Sequence, residues 1–239
     1  MPAFGPDVEV VARADGVLGE LVLRRRPGSD DAAGTEVIEL LSGGVFLMDT
    51  EDGTTERLLA EAALRAVSPP DAGQLRVLVG GLGLGLTAAA ALADPRVLEV
   101  VVVEIEPVLT RWLAEGLVPV TRTIFDDDRL HVVHGDVREA LVNVERGRFH
   151  AVLLDVDNGP DFLTHPSNAD LYRAPALTAA AGALVRGGVL AVWSSQPAPD
   201  LEATLERAVG PTQEVRRLVH RAGRHLEYVV YLAIRDCRE

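Results

Sequence analysis

The sequence predicts an α/β protein: a Rossmann-like, mostly parallel sheet preceded by a small antiparallel β domain. Three observations carry this expectation. Apolar runs and helix-forming runs alternate between residues 74 and 208. A glycine-rich turn, Gly80-Gly81-Leu82-Gly83-Leu84-Gly85, separates the first apolar run from its helix. The last two apolar runs, Val215–Val219 and Tyr228–Ile234, are joined through Arg221-Ala222-Gly223-Arg224, too tight a link for a parallel crossover. They are expected to close the sheet as an antiparallel hairpin.

The chain is organised around residues 76–106. Val77–Val79 reads as a buried strand, Thr87–Leu92 as a helix stopped at Ala93-Asp94-Pro95, and Val100–Val103 as a second strand ending in Glu104. That is a βαβ unit. Glycine belongs where backbone must approach a ligand closely or take positive φ. A carboxylate at the end of the second strand can accept both hydroxyls of a ribose. Gly81, Gly83, Gly85 and Glu104 are therefore read as cofactor-binding residues for an adenosine-containing ligand. The dinucleotide fingerprint is GxGxxG. From Gly81 the spacing here is GxGxG, with Leu86 where the fingerprint needs glycine. An NAD oxidoreductase is disfavoured on that ground, and the looser glycine loop of S-adenosylmethionine enzymes fits better.

Ahead of this unit, Val8–Ala12, Glu20–Arg24, Thr35–Leu41 and Val45–Met48 read as short strands, with turns at Gly28–Asp31, Ser42–Gly44 and Asp52-Gly53. Thr55–Ala66 reads as a helix with Leu58, Leu59, Ala62 and Ala63 on its buried face. Ser68–Gly73 is a linker, which divides the chain into an N-terminal β domain, 1–68, and a Rossmann-like domain, 74–239.

After Glu104, Pro107 opens a helix to about Glu115, Leu130–His134 is a third strand and Val137–Val144 a third helix. Phe149–Leu154 is a fourth strand ending in Asp155, Asn168–Val185 is mostly helix, stopped by Gly187-Gly188, and Val189–Trp193 is a fifth strand before a helix over Leu201–Ala208. A parallel sheet finished by an antiparallel hairpin is the class I methyltransferase pattern. Asp126-Asp127-Asp128 reads as a solvated loop and no metal site is expected, because adjacent side chains do not converge on one point.

Net charge is −13, from 36 acidic and 23 basic residues, which argues against a nucleic-acid partner. The single cysteine, Cys237, excludes an intramolecular disulfide and a cysteine metal cluster. No apolar run has membrane-spanning length and no leader pattern opens the chain. A cytoplasmic protein is the expectation.

Ligands of such sheets lie beyond the carboxyl ends of the strands. Glu104, Asp136 and Asp155 each end a different strand there. Glu104 is assigned the ribose, Asp136 with the Val137 amide the adenine edge, and Asp155 the acceptor side, although Asp136 also suits a helix N-cap. Asp157, Asn158, His165 and Trp193 are acceptor-side candidates. His131 and His134 read as strand residues, and Trp112 and Tyr172 as packing.

VLVGGLGLGLT, VVVVEIEP, LHVVHGDVREAL and HAVLLDVDNGP resemble, in order and spacing, the spermidine synthase family of polyamine aminopropyltransferases, over about Ser42 to Trp193. The resemblance implies a β domain before a Rossmann-like domain and a homodimer. It also implies S-adenosylmethionine, its decarboxylated form or their products methylthioadenosine and S-adenosylhomocysteine as ligands. Asp155 matches the catalytic acid of those enzymes. Other positions depart from them: Leu84 stands where they carry an acid in the glycine loop, Leu59-Ala60 where they carry Tyr-His before the retained Glu61, and Leu47 near the place of a glutamine. The sequence Asp155-Val156-Asp157-Asn158-Gly159-Pro160 is shorter than their gate motif. The expectation is a transferase moving a methyl or an aminopropyl group from an S-adenosyl donor to a small acceptor, with or without an amine, and not an efficient putrescine aminopropyltransferase. A nucleoside-binding or dimeric scaffold without turnover is the alternative.

Overall fold

The computed structural model describes residues 8–28, 35–51, 53–68, 74–221 and 224–236. Cys237, Ser29–Asp31, Asp52, the Pro69–Gly73 part of the linker and the hairpin tip Ala222-Gly223 lie outside the described residues. Strands β1 (Glu9–Asp15), β2 (Glu20–Pro27), β3 (Glu36–Ser42) and β4 (Val45–Asp49) pair antiparallel in chain order. Leu21, Leu23, Ile38 and Leu40 turn inward, whereas Arg24 and Arg26 reach across to Glu39. The Arg26 guanidinium also holds Asp49 at 3.2 Å and Glu51 at 2.7 Å, which satisfies a carboxylate (Asp49) that is almost wholly buried.

Helix α1 (Thr54–Ala66) leaves this sheet and packs on the larger one and the helices around it. Those elements are β5 (Leu75–Gly80), α2 (Leu86–Ala93), β6 (Val97–Glu104), α3 (Pro107–Ala114), β7 (Leu130–His134), α4 (Val137–Asn143), β8 (Phe149–Leu154), α5 (Ala174–Ala183), β9 (Leu184–Ser194), α6 (Pro199–Ala208), β10 (Thr212–Arg221) and β11 (Arg224–Ile234). The seven strands run in the order β10-β11-β9-β8-β5-β6-β7. The first five in sequence are parallel, and β10 and β11 form the expected hairpin with β11 antiparallel to β9.

Both faces of the sheet are covered, which explains the uninterrupted apolar runs. Val77, Val79, Val100, Val102, Ala151 and Leu153 face α1, α2 and α3. Their neighbours Leu78, Val103, Val152 and Leu154 face α4, α5 and α6. Sequence order reverses at β5, which pairs β6 on one side and β8 on the other. The crevice at such a reversal opens beyond the carboxyl ends of the strands.

Two segments differ from expectation. Asn168–Val185 is not one helix: a 3-10 turn covers Pro166–Tyr172, Arg173 breaks it, and α5 begins at Ala174. Nor do Gly187 and Gly188 stop that helix. They lie inside β9, where Leu184 pairs Phe149 but Val189 already pairs Ala151, so a bulge absorbs the extra residues. At Gly188 a Cβ would sit 2.9 Å from the Val185 carbonyl oxygen and 3.0 Å from that of His150, so glycine is required by crowding. A second 3-10 turn, Pro119–Asp126, has no counterpart in the sequence reading.

One local device recurs. In Asp94-Pro95-Arg96, Asp127-Asp128-Arg129 and Asp136-Val137-Arg138 the carboxylate accepts the arginine's backbone N–H and its guanidinium together. The rest of each guanidinium then donates to a distant carbonyl: Leu64 from Arg96, Val97 and Leu92 from Arg129, Ser167 from Arg138. Asp127 is thus committed to Arg129, which accounts for the middle of the acidic triplet. No group of histidine, cysteine, aspartate and glutamate with metal-binding geometry occurs among the described residues, and none of their helices is long and apolar enough to cross a membrane.

The two sheets are joined by Glu106. Its carboxylate is almost fully buried and accepts the backbone N–H groups of Val17 and Leu18, in the β1–β2 turn, at 2.7 and 2.8 Å. A Cβ on residue 16 would collide with this carboxylate. Gly16→Ala should therefore displace it and lose both charge-assisted bonds. A loss on the order of 1.5–3 kcal/mol is expected, read as a lower urea midpoint with an unchanged slope.

Candidate active site

Two cavities meet at the carboxyl ends of β5, β6 and β8. The first is lined by Gly81, Gly83, Glu104, Glu106, Asp136, Val137 and Arg138 from the large sheet, and by Leu18, Leu21, Ser42 and Leu47 from the small one. The second, of about 530 Å³, is lined by β4, the start of α1, residues 155–164, the end of β9 and Tyr228. Leu47, Asp155, Val156 and Thr164 line both.

The glycine loop is built by Glu104. Its side chain is 5% exposed; Oε2 accepts the Leu82 N–H at 2.6 Å and Oε1 the Glu106 N–H at 2.7 Å. Burial raises its pKa, and the two backbone donors oppose that rise. Gly81 must be glycine twice over: its φ is +91°, and a Cβ would run into the Asp155 carbonyl oxygen. Gly83 also borders the first cavity. Gly85 does not. It caps α2 and packs beneath Ile124 and Leu113.

Leu84 is a second correction. It is fully buried in the core and lines neither cavity; its carbonyl accepts the Thr121 hydroxyl at 2.7 Å. The atom that approaches the loop from the cavity side is the Met48 sulfur, 3.4 Å from the Leu84 backbone nitrogen. Leu59 and Ala60 are likewise core residues of α1, and Glu61 is exposed on its far side. Thr55 and Glu56, one turn earlier, are the α1 residues that reach the second cavity.

Asp136 is the N-cap of α4: it accepts the Arg138 N–H at 2.8 Å and pairs with the Arg138 guanidinium, which holds its carboxyl below the usual range. Both it and Val137 still border the first cavity.

The Asp155 carboxylate accepts the Thr87 hydroxyl at 2.6 Å on Oδ2, its one side-chain hydrogen bond among the described residues. Burial raises its pKa, and the Thr87 bond opposes that rise. Thr87, at the start of α2, was read from the sequence only as helix; its place directly after the glycine loop was the available signal.

Residues 156–172 form a loop organised on Asp157. Oδ1 of this buried carboxylate accepts the Thr164 N–H at 2.7 Å, the Thr164 hydroxyl and the Asn168 side-chain amide at 2.9 Å. Oδ2 accepts the Tyr172 hydroxyl at 3.3 Å. Burial and this neighbouring carboxylate push the Tyr172 phenol well up, so it remains a donor. Asn158 latches the loop to the end of β9, its carbonyl accepting the N–H and hydroxyl of Ser195. Asp157, Asn158 and Trp193 all line the second cavity. His165 lines neither: its Nδ1 lies 2.8 Å from the Ser167 hydroxyl, where it caps the 3-10 turn. His131 and His134 are exposed on the edge strand β7. Phe46, Phe162 and Tyr228, which the sequence did not single out, line the second cavity, and Tyr228 packs on Trp193 with ring centroids 5.3 Å apart.

The fold is class I methyltransferase-like. No family model matches the chain. The polyamine aminopropyltransferase of Mycobacterium tuberculosis is 30% identical over 191 residues, 79% of this chain and 33% of that protein, and that of Mycobacterium bovis gives the same figures. The chain thus spans about a third of the length of these curated relatives. Among solved structures, Thermotoga maritima spermidine synthase superposes with a TM-score of 0.75 at 17% identity, over 96% of this chain and 74% of that one. A spermidine synthase in complex with the transition state analogue AdoDATO gives 0.74 at 16% identity, over 96% and 73%. Over most of its length the chain is thus similar to polyamine aminopropyltransferases in sequence and to spermidine synthases in fold.

Two predictions follow from the carboxylates and the loop. An unfolded aspartate titrates near ~3.9. Because the folded Asp155 holds its proton to higher pH, the native state binds more protons across that window and stability falls as pH rises through it. Asp155→Asn should therefore raise the melting temperature at pH 7, and the gain should vanish once the pH drops below the unfolded value. Leu84→Asp should cost at least about 3 kcal/mol in urea unfolding, since it buries an unpaired charge. A variant as stable as the wild type would show that residue 84 reaches solvent.

Proposed function

We propose that the protein is a transferase that takes a group from an S-adenosyl donor in the first cavity to an amine in the second. The observation that carries this reading is Asp155, a poorly hydrated carboxylate standing where the two cavities meet. The resemblance to polyamine aminopropyltransferases supports the same class of reaction.

The donor supplies a sulfonium carbon that is already activated. The protein's part is alignment and proton removal. Glu104 and the amides around Gly81 and Gly83 hold the ribose side, and the α4 start at Asp136 and Val137 borders the base. The amine nitrogen attacks the carbon next to sulfur, the carbon–sulfur bond breaks with its electrons leaving on the thioether, and the new ammonium gives a proton to Asp155. Thr87 fixes the rotamer in which Asp155 Oδ1 is left to meet the amine.

Putrescine is set aside as an efficient acceptor in this reading through the resemblance alone, because Leu59-Ala60 stand where those enzymes carry Tyr-His. Assembly as a homodimer belongs to the proposal through the resemblance alone.

The test is a thermal-shift and calorimetry series with methylthioadenosine, intact and decarboxylated S-adenosylmethionine, and NAD. A ligand at about a hundred times its dissociation constant adds roughly 2.7 kcal/mol of stability. We expect this from the adenosyl sulfur ligands and not from NAD. Glu104→Gln places an amide donor against a backbone N–H and removes the charge. Its affinity for methylthioadenosine should fall by about 1.5–3 kcal/mol, while Asp155→Asn binds it as the wild type does. Equal affinity in wild type and Glu104→Gln would remove Glu104 from the site. A shift with NAD alone would overturn the reading.

A further inference from the structure

The first cavity measures about 140 Å³ as it stands, against about 530 Å³ for the second. Ligand pockets typically enclose roughly 300–1,000 Å³. A wall must therefore move before the first cavity can take the adenosyl ligand proposed for it.

The hydrogen bonds show which wall is lightly held. On the large sheet, the glycine loop is fixed by Glu104 through the Leu82 N–H. The start of α4 is fixed by the Asp136–Arg138 pair, and Arg138 also donates to the Ser167 carbonyl at 2.9 Å. Thr164 and Asn168 are bound to Asp157. On the small sheet, Leu21, Ser42 and Leu47 lie on the strands β2, β3 and β4. Leu18 is placed differently. It lines the cavity from a two-residue turn, Val17-Leu18, which is closed by the Gly16 N–H donating to the Gly19 carbonyl at 2.9 Å. Gly19 has φ +133°, a conformation that glycine takes without strain. Val17 is 62% exposed, so the tip has little apolar surface to expose further when it swings outward. Among the described residues, the hydrogen bonds that hold this tip to the large sheet are those from the Val17 and Leu18 N–H groups to Glu106, at 2.7 and 2.8 Å.

We infer that the β1–β2 turn is a lid over the first cavity and that Glu106 is its latch. With both tip amides on the Glu106 carboxylate the lid is shut and Leu18 covers the cavity. Releasing the amides moves Leu18 aside and admits the ligand; restoring them closes Leu18 over it. The latch lies two residues from Glu104, whose Oε1 accepts the Glu106 N–H at 2.7 Å, so one short segment sets both the lid and the ribose-side acid. Glu106 is a positioning residue that acts through the turn. The inference rests on the reading of the first cavity as the adenosyl site, but the latch can be measured in the free protein.

The experiment combines amide hydrogen exchange of the full chain with surface plasmon resonance of methylthioadenosine binding, for wild type, Gly16→Ala and Glu106→Gln. Residue 16 does not line the cavity, and a Cβ there pushes the carboxylate off the tip. In the free wild type the Val17 and Leu18 amides should exchange at least about tenfold faster than the paired amides of β2 and β3, because a local opening suffices. Methylthioadenosine should slow them. Both variants should speed association and dissociation of methylthioadenosine together, each by at least about tenfold, as loss of the charge-assisted bonds implies. Tip amides that exchange no faster than those of β2 and β3 would overturn the inference, and so would association rates equal to wild type in both variants. No binding of methylthioadenosine to the wild type would count against the donor reading, and the exchange comparison would still decide the lid.

Discussion

Two carboxylates two residues apart hold the upper part of this molecule together. Glu104, the last residue of β6, gives its oxygens to the amides of Leu82 and Glu106; Glu106 gives its own to Val17 and Leu18. Each is a charge taken out of water, which is costly unless donors replace the lost hydration. Here the donors are main-chain N–H groups from three segments far apart in sequence, so satisfying the charges fixes the glycine loop, the entry to α3 and the β1–β2 turn at once. The first cavity is bounded by those same segments. Its shape is a consequence of solvating two acids with backbone.

The sheet was legible because its apolar runs are long and its breaks are chemically marked: Gly80–Gly85, Pro107 and the short β10–β11 link each allow few conformations. The bulge at Gly187-Gly188 was not legible as such. Glycines after a helical run read as a stop by local rules, and only the pairing with β8 shows that they sit inside a strand. The loop from Val156 to Tyr172 shows the limit more sharply. Asp157, Asn158 and His165 look alike in sequence as polar loop residues. In three dimensions Asp157 is a hub with donors on both oxygens, Asn158 a latch through its backbone, and His165 a cap. No periodicity encodes which way a loop side chain turns.

The glycine loop teaches the same lesson in reverse. The spacing of Gly81, Gly83 and Gly85 is regular, yet the three do different work. Gly81 lets the main chain pass the Asp155 carbonyl, Gly83 borders the cavity near the Met48 sulfur, and Gly85 lets α2 sit on Ile124 and Leu113. Leu84, between the last two, points into the core because the loop has already begun to turn into the helix. A motif letter carries position but not direction, and direction decides whether a residue meets a ligand.

This bears on the donor. If residue 84 faces the core, its identity acts on the ligand only through the backbone it holds, and the loss of an acid there removes no charge from the cavity wall. The cavity-side neighbour of the loop is Met48, a polarizable, uncharged thioether on the N-terminal sheet. Met48 also borders the second cavity, so the residue that meets the glycine loop is supplied by β4, the strand that carries Phe46 and Leu47 into the same space. The four-stranded sheet therefore contributes on both sides of Asp155. Leu18, Leu21 and Leu47 cover the first cavity, Phe46, Met48 and Asp49 wall the second, and the Glu106 tether sets their distance from the large sheet. In the proposed reaction, selectivity for the transferred group and for the acceptor would therefore be set by one small sheet docked by one carboxylate, and the proton transfer by Asp155 on the other sheet.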